Sequence, residues 1–570
     1  MRARSFLAVA MATVCVALFH VTPADLSAQG AAALSGVVTS QAEGKMEGVV
    51  VSARRDGANF TVSVVSDAKG RYSFPRTHLD AGKYALTIRA VGFDLVDPGP
   101  VDVGAGKTAK ADLTLQKTKD LASQLSSIEW AMSMPGTEEQ KSKLVNQLLS
   151  CAYCHTYERI MKSKHTGEEF VPVISRMAGY FNDGTAMGAG GRGRAARMEN
   201  AEAAGKAPNW GFSPAVPKLE LGQYLASANL SGGRTTFPYE LRTLPRPKGK
   251  ATRVIITQYD MPRKDTVPHD IEVDSKGTPW YGDQSRMVIG KMDPKTGVFT
   301  EYPLPPLPPN RVGGISDPHV DNDDNLWFPI TTAAGRSHFG APAKFDTKTQ
   351  KLTTLDAPDD VQFLARGPDG KIWMNNTGTI IRVDPKAMKV DATFTVNAKT
   401  PGAPPGPHSL YQTGISSKGN VYAFDWLGSY IVGIDVATGT TKFWPTPTRG
   451  ASPRRGKMDA QDRLWFAEYT GDKIGMFDTR TEKMQEWPVP YKYTTPYAAS
   501  APDARGFVYA SSNMSERVMR LDPKTGEVIE YQIPTDFDSK EIINDPTTKK
   551  STLWMANTRN ARITKVEPLD

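Results

Sequence analysis

From residue 251 onward one aromatic residue returns at an almost fixed interval. It falls at Trp280, Trp327, Trp373, Tyr422, Trp465, Tyr509 and Trp554, each behind a turn of the D/N-x-x-G kind, and the intervals run from 43 to 49 residues. A second marker keeps step with it: Asp293, Asp346, Asp384, Asp435, Asp478, Asp522 and Glu567. Both count seven. Each interval holds about four short strand-like runs, which is the content of a propeller blade rather than of a solenoid coil. Arg253-Val-Ile-Ile-Thr-Gln-Tyr-Asp-Met-Pro262 reads like the strand that ends a repeat in Phe299-Thr-Glu-Tyr-Pro-Leu-Pro305, whereas Ile563-Thr-Lys-Val-Glu-Pro stops one strand short. The early strand is therefore expected to complete the last blade and remove the open edge.

Cys151-Ala152-Tyr153-Cys154-His155 reads C-x-x-C-H, the attachment signature of a c-type haem. Two thiols at that spacing form thioethers to the two vinyl groups of one haem, and the histidine ligates the iron. The chain has three cysteines, and the third, Cys15, lies in a segment expected to be cleaved. A C-x-x-C redox disulfide needs a βαβ setting, and the flanks here are helical. A zinc site needs a second pair of cysteines or histidines nearby, which is missing.

The N-terminus supplies the compartment that haem attachment requires. Arg2 and Arg4 precede an apolar run from Ser5 to Val21, and Leu26-Ser27-Ala28-Gln29 offers a cleavage site near Ala28. Residues 1–28 are read as a signal peptide rather than a membrane span, and no later stretch of about 18 apolar residues follows. The protein is expected to be periplasmic or secreted, with an uncleaved anchor as the alternative. Charged residues at 23% and hydrophobic ones at 39% are ordinary globular composition. The net charge of +8 is too dilute for nucleic-acid binding, and the pairs Arg192/Arg194 and Arg454/Arg455 read as solvated surface.

Between leader and propeller lie two further modules. Over 31–116 short period-two runs are separated by turns such as Asp67-Ala-Lys-Gly70, which makes a small β-sandwich. The wording S-D-A-K-G-R-Y-S-F-P…L-D-A-G-K-Y-A-L-T-I-R-A-V-G-F resembles the carboxypeptidase regulatory-like domain, which implies an adhesion or spacer module without chemistry. Over 117–248 apolar residues follow helical spacing at Leu121–Met132, Glu138–Leu149, Glu168–Tyr180 and Leu219–Ala226. The order of haem motif, helix, ligand loop and closing helix with Tyr224-Leu225 resembles a small class I cytochrome c. A thioether would be the second iron ligand, from Met161, Met177, Met187 or Met198. Met161 stands only six residues beyond His155, on the proximal side. Met177 closes Glu169-Phe-Val-Pro-Val-Ile-Ser-Arg-Met, and this resembles the place where short single-haem cytochromes carry their axial methionine; Met187 is the alternative. His165 would make a bis-histidine site.

The repeat wording P-H-D-I-E-V-D-S-K-G-T-P-W…I-G-K-M-D-P-K-T-G-V-F-T-E-Y-P-L-P resembles the virginiamycin B lyase (streptogramin lyase) family over 251–570. That resemblance implies elimination by a histidine base, with a glutamate near a magnesium site. Eleven residues before each aromatic stand His269, Ser316, Gln362, Tyr411, Arg454, Ala498 and Ile543; three after it stand Asp283, Ile330, Asn376, Asp425, Glu468, Ser512 and Asn557. Only Pro268-His269 and Trp465-Phe-Ala-Glu468 match the family closely, while His319 and His408 follow offset prolines. A ring of His269, Asp283, His319, His408, Asp425 and Glu468 is therefore the catalytic or ligand-binding candidate, and each member is equally readable as a blade-top residue bonded to a loop. Asp321-Asn-Asp-Asp-Asn325 lacks the distal glutamate of a calcium loop and reads as a turn.

The expected fold class is mainly β: a seven-bladed β-propeller with an N-terminal β-sandwich and a small all-α cytochrome c-like domain. The expected function is that of an exported mono-haem c-type cytochrome, one haem per chain, fused to a ligand-binding propeller. Its partners would be a periplasmic electron donor or acceptor and a small molecule at the propeller axis. The alternatives are a metal-dependent C–O lyase of the virginiamycin B lyase type and a non-catalytic scaffold. Elimination is redox-neutral and leaves a haem without a task, which disfavours the lyase.

Overall fold

Residues 31–149, 152, 155–182, 216–305, 313–332, 339–355, 363–376, 378–406 and 408–569 are described by the computed structural model. The leader, Cys151, Cys154, Met187, Met198 and Arg192/Arg194 lie outside them. No helix among the described residues is long and apolar enough to cross a membrane.

In five of the seven blades one aspartate, Asp274, Asp321, Asp459, Asp503 or Asp545, ties the turn. Asp274 Oδ1 accepts the backbone N–H of Lys276 (3.0 Å) and Thr278 (2.9 Å), and its Oδ2 accepts the indole N–H of Trp280 at 3.0 Å. The same triple recurs at Asp321 with Trp327 and at Asp459 with Trp465. A short carboxylate thus ties the turn and anchors the buried aromatic in one device. The fourth turn residue needs a left-handed backbone: Gly277 (φ 81°) and Gly506 (φ 91°) adopt it freely, and Asp324 (φ 62°) and Asp462 (φ 58°) take the same place. Blade 3 has Gly367 where the aspartate belongs, and Trp373 Nε1 is left without a partner.

Seven antiparallel blades follow, at 268–303, 313–354, 363–395, 410–445, 453–488, 496–532 and 543–568. The last is closed by Val254–Asp260, which pairs along its whole length with Arg562–Pro568. The sheets form a ring, because side chains from blades 1, 2, 4, 5 and 7 meet at one point.

The closing strand has a second partner. Its other edge pairs with Phe60–Val65 of the N-terminal sandwich, so blade 7 and one sandwich sheet form a single eight-stranded sheet. Period-two alternation lets the strand serve both cores: Ile255 packs into the sandwich, and Val254 and Ile256 pack into the propeller. Asp260 bridges the two modules through Arg54 (2.5 Å) and Arg562 (2.6 Å).

Among the described residues, five helices carry the middle segment: α1 (Ser127–Ser133), α2 (Glu138–Leu148), α3 (Glu158–Met161), α4 (Gly167–Asn182) and α5 (Lys218–Ala228). The first predicted helix is broken. A 3-10 turn at Leu121–Gln124 ends before Ser126, which starts α1 in a capping box with Glu129. α2 has its own box from Thr137 and Gln140. The helices pack on the propeller around one shared core, in which Trp130, Leu148, Ala152, Tyr157 and Met161 meet Tyr469, Tyr493, Tyr497 and Met514 of blades 5 and 6. Ile128 N–H donates to the Met514 carbonyl across this seam (3.0 Å).

Candidate functional site

The helical module meets the propeller at Ala152, the described residue between the two cysteines. Arg559, on a loop of blade 7 with a side chain only 1% exposed, donates from Nε to the Ala152 carbonyl at 2.7 Å. Its two other nitrogens reach Asp536 Oδ1 (2.5 Å) and the Asn513 carbonyl (2.6 Å). The planar fork therefore fixes the backbone inside C-x-x-C-H against two blades. His155 follows directly and is half-buried. Its Nδ1 lies 2.8 Å from the Thr156 carbonyl oxygen. A carbonyl only accepts, so Nδ1 carries the proton and Nε2 the lone pair, the tautomer in which a histidine ligates a metal. Burial pushes the imidazole below its ordinary value, and the Arg159 and Arg559 charges add to this, which keeps it neutral.

Among the methionines, Met161 is fully buried in the shared core, with its sulfur 3.9 Å from the Tyr239 hydroxyl. Met177 is half-buried on α4. The His165 side chain is 48% exposed beside Glu169 and edge-on to Phe170, which sets it at the surface.

The propeller candidates separate into two groups. Asp283 and Asp425 are structural clips at the blade top: Asp283 Oδ1 accepts from Val267 N (3.2 Å) and Ser285 N (2.9 Å), and Asp425 Oδ1 from Ser409 N (2.8 Å) and Gly428 N (3.2 Å). Asn557 makes the same pair of contacts with Asp538 N and Arg559 N. His408 is held at both nitrogens, by Asp425 Oδ2 (2.6 Å) and the Pro404 carbonyl (2.9 Å). Burial opposes its charge, but these two acceptors outweigh it and raise its pKa. Glu468 is fully buried and makes none of the clip contacts, and Glu486 lies beside it. Burial first, and the Glu486 carboxylate second, push Glu468 up to about 9.

Only His269 and His319 of the predicted ring reach the axis. There they join Arg455, which sequence reading placed on the surface, and Asp270, Glu272, Asp317, Gln412, Lys457 and Glu541, which it did not single out. His269 Nδ1 bonds Asp270 Oδ2 at 2.5 Å, and burial holds the imidazole below its ordinary value. His319 Nδ1 pairs with Glu272 Oε2 at 3.0 Å, and this bond and the Asp317 charge raise its pKa despite burial. Arg455 lies among Asp270, Asp317 and Glu541. Exposure rises along the axis from Arg455 (0%) through His319 (13%) to Lys457 (26%), so water reaches the end away from the helices.

Arg454 and Arg455, read from sequence as solvated surface, are both buried. Arg454 sits among four rings, 4.1 Å from the centroid of Tyr469, 4.3 Å from Tyr497, 4.9 Å from Tyr411 and 5.3 Å from Trp426. Cation–π attraction replaces the water that a surface arginine would keep. Tyr469 and Tyr497 also belong to the core shared with the helices, so this cage joins the helical seam to the axis.

Residues 33–116 match the family model of the carboxypeptidase regulatory-like domain. No curated protein matches the chain. Among solved structures, a catalytically inactive histidine-to-alanine virginiamycin B lyase from Staphylococcus aureus, determined with quinupristin, is similar at 21% identity and TM-score 0.47, over 55% of this chain and 99% of that one. A streptogramin B lyase structure is similar at 19% identity and TM-score 0.47, over 56% and 99%. The extracellular domain of a one-component system from B. thetaiotaomicron is similar at 16% identity and TM-score 0.42, over 53% and 40%.

Proposed function

We propose that this chain is an exported electron-transfer protein that carries one covalent haem at Cys151 and Cys154, with the propeller as its rigid platform. The observation that supports this most is His155: a neutral imidazole, half-buried, with Nδ1–H directed to Thr156 and Nε2 left as the ligating nitrogen, directly after the two cysteines. The donor set suits a haem, since two thiols and one such histidine are what attachment and ligation require. Haem c, when bound, exchanges single electrons with a donor or acceptor protein, and a thioether ligand such as Met177, or Met187 in its place, holds the potential higher.

The chain's own residues do the positioning. Arg559 grips the Ala152 carbonyl, Thr156 sets the His155 tautomer, and the shared core buries Ala152.

The test is the mass of the intact denatured chain after expression with haem maturation. The wild type is expected to carry one haem mass, and Cys151→Ala with Cys154→Ala to carry none while remaining folded. Met177→Ala is expected to keep the mass and change the reduced absorption spectrum. A folded wild type without the added mass would overturn the proposal.

A further inference from the structure

Asp270, Asp317 and Glu541 each offer one carboxylate oxygen, and these oxygens lie within 4.8 Å of one another. Three buried carboxylates from blades 1, 2 and 7 repel one another unless a cation stands between them. Blade 5 supplies it. Arg455 Nη1 is 2.5 Å from Asp270 Oδ1, 3.2 Å from Glu541 Oε2 and 3.5 Å from Asp317 Oδ1. The first two are hydrogen bonds and the third an ion pair, whereas Mg2+ holds oxygens at about 2.0–2.1 Å and Ca2+ at about 2.3–2.6 Å. A guanidinium nitrogen and a dication cannot share one point.

We infer that Arg455 is a resident cation standing where a metal-type carboxylate cluster would hold a divalent ion, so this cluster takes up no metal. A magnesium ion does not fit among these three carboxylates while Arg455 stands there. The neighbours complete the single positive charge that Arg455 brings. His269 and the Asp317 backbone N–H both donate to Asp270 Oδ2 (2.5 and 2.8 Å), Gln412 Nε2 donates to Glu541 Oε2 (3.3 Å), and Lys457 stands 3.6 Å from Glu541 Oε1. A guanidinium holds no exchangeable water and generates no hydroxide, so what meets a ligand at this point is a fixed set of N–H donors. This inference stands apart from the haem reading.

The test uses the full chain, stripped with chelator, and Mn2+ as the ion, followed by the electron paramagnetic resonance of free Mn2+ and by thermal unfolding. The wild type is expected to bind no stoichiometric Mn2+ and to melt at the same temperature with or without chelator. Arg455→Ser opens the cluster, whose water-reached end passes Lys457 and His319. It is expected to gain one Mn2+ per chain and to lose it again when Asp317→Asn is added. Should Arg455→Ser not fold, Arg455→Lys keeps the charge and is expected to fold without Mn2+. One equivalent of Mn2+ on the wild type, removed by Asp317→Asn, would overturn the inference. So would a folded Arg455→Ser variant that takes up none.

Discussion

One methylene separates Glu468 from the aspartates that hold the same place in blades 1 and 4. Asp283 and Asp425 are short enough to clip two backbone N–H groups, while Glu468 is carried past them to Glu486. The consequence is a buried acid that stays protonated at neutral pH. Its folded pKa of about 9 lies above the ordinary 4.5, so between these values the folded state holds a proton that the unfolded chain has released. Stability from this group therefore falls as pH rises through that window and levels off above it. Glu468→Gln stays neutral in both states. Urea unfolding at pH 5 and pH 8 is expected to show the variant gaining on the wild type by about 2 kcal/mol at the higher pH, after allowance for relaxation of the site. An equal difference at both pH values would contradict the assignment. The resemblance to the lyase family marked this residue, but its environment is set by burial and then by Glu486, eighteen positions on, which no motif connects to it.

At the scale of strands and helices, local chemistry was readable and phase was not. The turn aspartates and their aromatics sit within ten residues of each other, so the repeat and its seven blades are plain in the sequence. The axis was misplaced by one residue because the inner strands begin with a bulge. Pairing register shifts between Pro268 and Ile271, Leu410 and Thr413, Pro453 and Gly456, and Pro496 and Ala499. A bulge breaks the two-residue alternation. Both members of His269/Asp270 and Arg454/Arg455 are thereby buried, and strict alternation would have sent one of each outward. In the helical module the decisive contact is between α4 and α5. A Cβ at Gly222 would stand 2.4 Å from the Gly167 carbonyl oxygen. Gly222→Ala must push the helices apart and is expected to cost about 1–3 kcal/mol. Unfolding of the variant measures this, and an unchanged midpoint would show that the crossing carries no load.

In the whole molecule the sandwich is an outward extension of blade 7 rather than a tethered spacer. Pairing of Ile255 with Val64 spans almost two hundred residues, and neither strand carries a mark of its partner, so the sequence divides what the sheet unites. Calorimetry of the intact chain is expected to show sandwich and propeller melting together. Removing residues 31–116 bares one edge of Val254–Asp260 and the side chain of Ile255, and should lower the propeller transition and promote association. A propeller that melts unchanged without the sandwich would contradict this. The helical module, joined through Arg559 and the shared core, places the C-x-x-C-H segment on the same frame. Covalent haem on that segment is what the electron-transfer reading requires. The most direct measurement is the absorption spectrum of the matured chain, oxidised, then reduced, then denatured. Sharp reduced α and β bands, with haem retained after denaturation, are expected; a folded chain without those bands would contradict the claim.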